Sequence, residues 1–147
     1  MLNEFNPVPK PKHKRSTPKK KQRGAISQKE YDKTVEQHGA FCFWCGRGEN
    51  LECHHVIPKG FSRYRNGRGK FRNLRFLCKE HHDQVDGSEE MRQELEQYHK
   101  TLYGPHFYKD EYDLMAEGLI TDKDQFEKFM KGEEARVKRQ GYSPEEW

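Results

Sequence analysis

Long apolar runs are missing from this sequence: nowhere in its 147 residues do apolar side chains continue for the roughly 18 positions that a membrane-spanning helix requires. The opening stretch MLNEFNPVPKPKHKRS also lacks the apolar segment of a secretory signal. A soluble, intracellular protein with no membrane partner is the expectation. Hydrophobic residues make up only 31% of the chain against 35% charged, so the composition supports one small core with polar flanks. There are no internal repeats, which excludes a repeat array. Cysteine is scarce as well, and in a reducing compartment four cysteines read as metal ligands rather than as two disulfides.

Acidic residues are scarce in one part of the chain and abundant in another. Residues 1–23 carry eight basic side chains and one acidic, residues 24–86 eleven and eight, and residues 87–147 nine and fifteen. The net charge of +4 conceals this segregation. A basic tail next to a mildly basic middle suits a polyanion such as nucleic acid. The acidic C-terminal part would face away from it or cover a protein partner. The alternative is a tail that only keeps the chain soluble.

Four prolines among lysines in the first 25 residues, with few apolar side chains to offset the entropy of ordering, indicate a disordered basic arm over 1–25. Order is expected from Ser27, which forms an S-x-x-E capping box with Glu30 and precedes Tyr31 and Val35 at helical spacing; Gly39 ends that helix. Short strands are expected at Leu51 to His55 and Leu74 to Cys78, and a short helix over KEHHDQV closed by Gly87. Ser88 then caps a helix with Met91, Leu95, Tyr98 and Leu102 on one face. Tyr108, Tyr112, Met115 and Leu119 repeat that spacing, and Thr121 caps a segment carrying Phe126, Phe129 and Met130. These elements predict an α+β fold, with a core over 26–87 and a helical extension over 88–147.

Cys42-x-x-Cys45 can hold one side of a tetrahedral zinc, and Cys78-x-x-His81, separated from it by 32 intervening residues, can hold the other. A structural Zn2+ there would supply stability that an apolar-poor chain lacks. Two alternatives stay open: Cys53 as the fourth ligand with His81 free, or cysteines that are simply small buried residues. A second group remains: His54, His55, Asn73, His82 and Asp86. His82 and Asp86 stand four apart on a helix and share a face, so with His54 they could hold another metal. Neighbouring strand residues point to opposite sides, so His54 and His55 are expected to do different work. Between Lys59 and Arg75 the connection carries Lys59, Arg63, Arg65, Arg68, Lys70, Arg72 and Arg75 with no acid, and reads as a phosphate clamp.

Residues 40–87, through CFWC, ECHHVIP, FRNLRFLC and the following EHH, resemble the HNH endonucleases of the ββα-metal type whose active site is supported by a zinc site. The resemblance implies a small ββα-metal, zinc-bound core, with His54 as a metal ligand, His55 as general base, Asn73 orienting the base and its loop, and His82 opening the catalytic metal pair. It implies hydrolysis of DNA with a divalent ion, Mg2+ or Mn2+ in the first instance, to 5′-phosphate and 3′-hydroxyl ends. Two departures stand out. Cys78 pairs with His81 where the family has C-x-x-C, and Asp86 occupies a position that is usually His. A non-catalytic zinc-stabilised nucleic-acid-binding module, or a nuclease subunit that docks on a larger DNA-processing machine through its acidic helical C-terminus, are the competing readings.

Overall fold

The structure is a computed structural model that describes residues 17–62 and 65–140. It is an α+β arrangement of six helices and one two-stranded antiparallel sheet among those residues. Helix α1 (Lys20–Gly24) is a single turn. Helix α2 (Gln28–His38) begins where the Ser27 hydroxyl accepts the Glu30 N–H at 3.2 Å, and it stops at Gly39, whose φ of 75° suits a residue without Cβ. The capping box is only half made, because the Glu30 carboxylate instead accepts the backbone N–H of Phe71. That contact turns the helix: Glu30 and Thr34 face inward, while Tyr31 and Val35, expected to be the apolar face, are exposed.

Strands β1 (Leu51–His55) and β2 (Leu74–Cys78) pair with Leu51 opposite Cys78 and His55 opposite Leu74. All five β2 residues are buried, as expected of a strand covered on both faces. Helix α3 (Lys79–Asp86) follows β2 without a linker, since the Cys78 sulfur accepts the His81 N–H and so caps it. Helix α4 (Glu89–Tyr103) starts at Ser88, whose hydroxyl accepts the Met91 N–H. The expected stripe from Tyr108 to Leu119 is not one helix. Residues 105–108 form a turn, and Asp110 and Asp113 make a reciprocal capping box that starts α5 (Glu111–Ala116) only after it. Leu119 is left exposed, and Ile120 takes its place in the core. Thr121 donates to Gln125 rather than accepting as a cap, and a 3₁₀ turn leads into α6 (Phe126–Arg139).

The main apolar cluster draws Val56, Ile57 and Phe71 from the segment joining the strands and Leu95, Tyr103 and Phe107 from α4 and beyond. A smaller cluster of Cys42, Leu77, Cys78 and Val85 lies at the knuckle formed by Cys42–Cys45, and a third, around Leu114, Phe126 and Met130, joins α5 to α6. Among the described residues no helix is long and apolar enough to cross a membrane.

Two expectations are corrected here. Residues 1–16 of the expected arm lie outside the described residues, but residues 20–24 form α1, held by ion pairs from Arg23 to Asp110 and Asp113. The basic loop, in turn, is not an open clamp. Arg72 is 3% exposed and bonds Glu134 at 2.7 Å and Glu127 at 3.2 Å. Arg68 bonds Asp113, Lys70 pairs with Glu111 and Arg65 with Glu96. Arg75 is buried with its guanidinium over the rings of Phe43 and Tyr98. Arg63 lies outside the described residues. The physical reason is that burying an unpaired guanidinium is costly: acidic residues of the C-terminal helices supply partners for Arg68 and Arg72, and His38 with the two rings serves Arg75.

Arg72 also stacks its guanidinium 4.5 Å from the Phe71 ring centroid, while its backbone carbonyl accepts from His99 at 2.7 Å. Arg72→Met should keep much of this packing but lose the ion pairs, lowering the unfolding free energy by about 1–3 kcal/mol in urea titrations. An unchanged urea midpoint would show that the pairs with Glu127 and Glu134 do not contribute.

Candidate functional site

Cys42 and Cys45 sit on a tight turn in which Cys42 N–H donates to the Arg47 carbonyl, Gly46 N–H donates to the Cys42 carbonyl, and Gly46 takes a φ of 72°. The Phe43 N–H donates to the Phe76 carbonyl and fixes the turn to β2. The cap of α3 brings Cys78 and His81 to the same place. All four ligand atoms lie within 4.8 Å of one another. A tetrahedral zinc about 2.3 Å from each sulfur needs sulfur–sulfur edges of about 3.8 Å, and Cys45 and Cys78 are 3.8 Å apart. Nδ1 of His81 is 3.6 Å from the Cys42 sulfur and 3.1 Å from that of Cys78. The donor set and its spacing fit a structural metal such as zinc. Burial alone would push the Cys42 thiol up, but the backbone N–H groups of Cys45, Cys78 and Trp44 together outweigh it and hold it down at about 6. Cys53, the rival ligand, lies in β1 opposite Phe76 and outside this cluster, its thiol pushed up to about 11 by burial.

Next to this knuckle, ligand atoms of His54, His82 and Asp86 also lie within 4.8 Å of one another. His54 comes from β1, and the other two from one face of α3, with the His54 and His82 rings edge to face at 5.1 Å between centroids. Burial lowers the His54 imidazole to about 4, helped by His82 and opposed by Asp86. It is therefore neutral near pH 7, the form that binds metal. His82 Nδ1 is 2.5 Å from a Glu52 carboxylate oxygen, which makes Nδ1 the donor and leaves Nε2 free to ligate. Glu52 was missed in the sequence, although it stands two positions before His54 and period-two alternation puts both on one strand face.

His55 points elsewhere, as alternation requires. Its Nε2 lies 2.7 Å from the carbonyl of Gly24. A ring nitrogen at that distance from a carbonyl must donate, so the lone pair of the neutral ring is on Nδ1. Burial, and then the charge of Lys59, lower the His55 imidazole, while the Gly24 carbonyl acts in the opposite sense. Asn73 is fully buried; its Oδ1 accepts the Ile57 N–H at 2.8 Å and its Nδ2 donates to the carbonyls of Ile57 and Arg68 at 3.1 and 3.0 Å. One side chain thereby ties both ends of the loop that leaves β1 and returns to β2. Gly67 fits the same join, where a Cβ would fall 1.5 Å from the Ile57 carbonyl oxygen. Lys59 alone of the described clamp residues is exposed, its stem lying against Gly24. No family model, curated protein or solved structure matches the chain.

After mild chelation of the purified protein, metal analysis should find one retained zinc per chain, lost in Cys42→Ala, Cys78→Ala and His81→Ala but kept in Cys53→Ala. Loss of zinc in Cys53→Ala with retention in His81→Ala would overturn the ligand assignment.

Proposed function

We propose that this protein is a divalent-metal-dependent DNA endonuclease of the HNH, ββα-metal type. The observation that carries the reading is the placement of three metal-capable side chains, His54, His82 and Asp86, on β1 and α3, with His55 projecting from the same strand in the opposite sense and Asn73 locking the loop that follows. A divalent ion, Mg2+ or Mn2+ by preference for a mixed imidazole and carboxylate set open to solvent, would supply Lewis acidity at the phosphate and the departing 3′ oxygen. Glu52 orients His82 for it, and burial keeps His54 neutral. His55 accepts a proton from the attacking water at Nδ1, while its Nε2–H stays bound to Gly24. Asn73 carries no charge in this scheme and acts by fixing the backbone around the base.

With Arg68, Arg72 and Arg75 committed internally, phosphate contact falls to exposed Lys19, Lys20, Lys21 and Lys59, which lie on or beside the segment that His55 touches. Point charges on flexible stems suit backbone recognition without base readout. The departure at Asp86 keeps a ligand atom within 4.8 Å of those of His54 and His82, and carboxylate oxygen suits Mg2+ or Mn2+ better than imidazole nitrogen does.

Supercoiled plasmid nicking with and without each divalent ion is the direct assay. His55→Ala should slow cleavage by about a hundredfold to ten-thousandfold while zinc content and duplex binding persist. His82→Ala should also stop cleavage, with partial recovery in excess Mn2+. Full-rate cleavage by His55→Ala would remove the proton-transfer role from this residue, and binding without cleavage under every metal would favour the non-catalytic binding module.

A further inference from the structure

Helix α1 is five residues long, too short to hold itself in water, yet it presents the carbonyl that His55 bonds. The side chain and the backbone of Arg23 keep it in place. The Arg23 guanidinium reaches both oxygens of Asp110, at 2.7 and 2.6 Å, and one of Asp113 at 2.8 Å. Arg68 closes the same pair of carboxylates with two bonds to Asp113, each 3.0 Å. The Arg23 carbonyl accepts the Gly69 N–H at 3.0 Å. The approach at Gly69 admits no side chain, because a Cβ there would lie 2.0 Å from the Ala25 carbonyl oxygen. Asp110 is 2% exposed and Arg68 6%, so the cluster is largely shielded from the solvent that would screen it. The Gly24 carbonyl is one of the orphan acceptors at the end of α1, and His55 is its partner.

We infer that the Arg23–Asp110–Asp113–Arg68 cluster is a positioning device for His55, through which carboxylates of the C-terminal helical part hold the Gly24 carbonyl against Nε2–H and so direct the Nδ1 lone pair to the reacting water. This rests on the nuclease reading above and adds a requirement to it. The proton-accepting side chain is oriented by the first described helix, and that helix is placed by residues near 110, outside the segment that carries the HNH-like motifs. Arg23, Asp110, Asp113 and Arg68 touch no reacting group; they act through the backbone of residue 24. Released from the cluster, α1 would leave His55 without its acceptor and free to rotate.

The test uses the full zinc-loaded chain and two readouts. In proton NMR the His55 Nε2–H should be visible in the wild type, because a hydrogen-bonded, sheltered imidazole proton exchanges slowly with water. It should vanish in Arg23→Ala and persist, at least in part, in Arg23→Lys, with zinc content and circular dichroism unchanged in both. Turnover of plasmid nicking should fall about ten- to hundredfold in Arg23→Ala with little change in KM, the size expected when a reacting group is displaced rather than removed. Arg23→Gln, which keeps a donor and the bulk of the stem, takes the place of Arg23→Ala if the latter does not fold. Persistence of the Nε2–H signal in the charge-removing variant, or its absence from the wild type, overturns the inference. Wild-type protein that shows the signal and its loss in Arg23→Ala, but cuts no DNA, sustains the cluster's hold on His55 and overturns the nuclease reading instead.

Discussion

Pairing between guanidinium groups of the segment joining the two strands and carboxylates of the helices that follow is the interaction on which the rest of this structure depends. Arg68 meets Asp113, Arg72 meets Glu127 and Glu134, and Arg65 meets Glu96. Surface ion pairs contribute little, but Arg68 and Arg72 are buried on their guanidinium side, where losing the partner would strand a charge. The charge of these loop arginines is thus neutralised within the fold, and the basic loop and the acidic helices each require the other. The main apolar cluster makes the same connection, joining Val56, Ile57 and Phe71 to Leu95, Tyr103 and Phe107.

With so few apolar residues, polar side chains take over much of the work of fixing backbone. Asn73 joins the ends of a long loop, Glu30 holds the N–H of Phe71, and His99 bonds the Arg72 carbonyl from a fully buried position. The Cys42, Cys45, Cys78 and His81 cluster fits the same pattern, because a metal there would tie the knuckle to the start of α3 where little hydrophobic surface is available.

Local signals in the sequence were legible wherever one residue type has one strong preference. Ser27, Ser88 and Gly39 bound their helices as their capping chemistry requires, Gly87 follows the end of α3, both strands fall at the expected segments, and the two ligand clusters assemble from the residues singled out for them. Long-range electrostatics were not legible. A run of arginines without acids looks alike whether it faces phosphate or a distant carboxylate, and nothing near Arg72 in sequence announces Glu127 or Glu134. The rotation of α2 was hidden for a related reason: Tyr31 and Val35 carry the helical period, but the inward face is set by Glu30 reaching Phe71, a contact across 41 positions. The Gly24 carbonyl could not be read at all, since backbone acceptors leave no mark in a sequence.

What distinguishes a nuclease from a zinc-stabilised scaffold is the second group of ligands, and a Mn2+ titration followed by electron paramagnetic resonance addresses it most directly. Zinc-loaded protein should bind one Mn2+ per chain, with nitrogen couplings from two imidazoles that reduce to one in either His54→Ala or His82→Ala. A zinc-loaded protein that leaves Mn2+ free in solution, or binds it without imidazole nitrogen coupling, would contradict a catalytic metal at His54, His82 and Asp86.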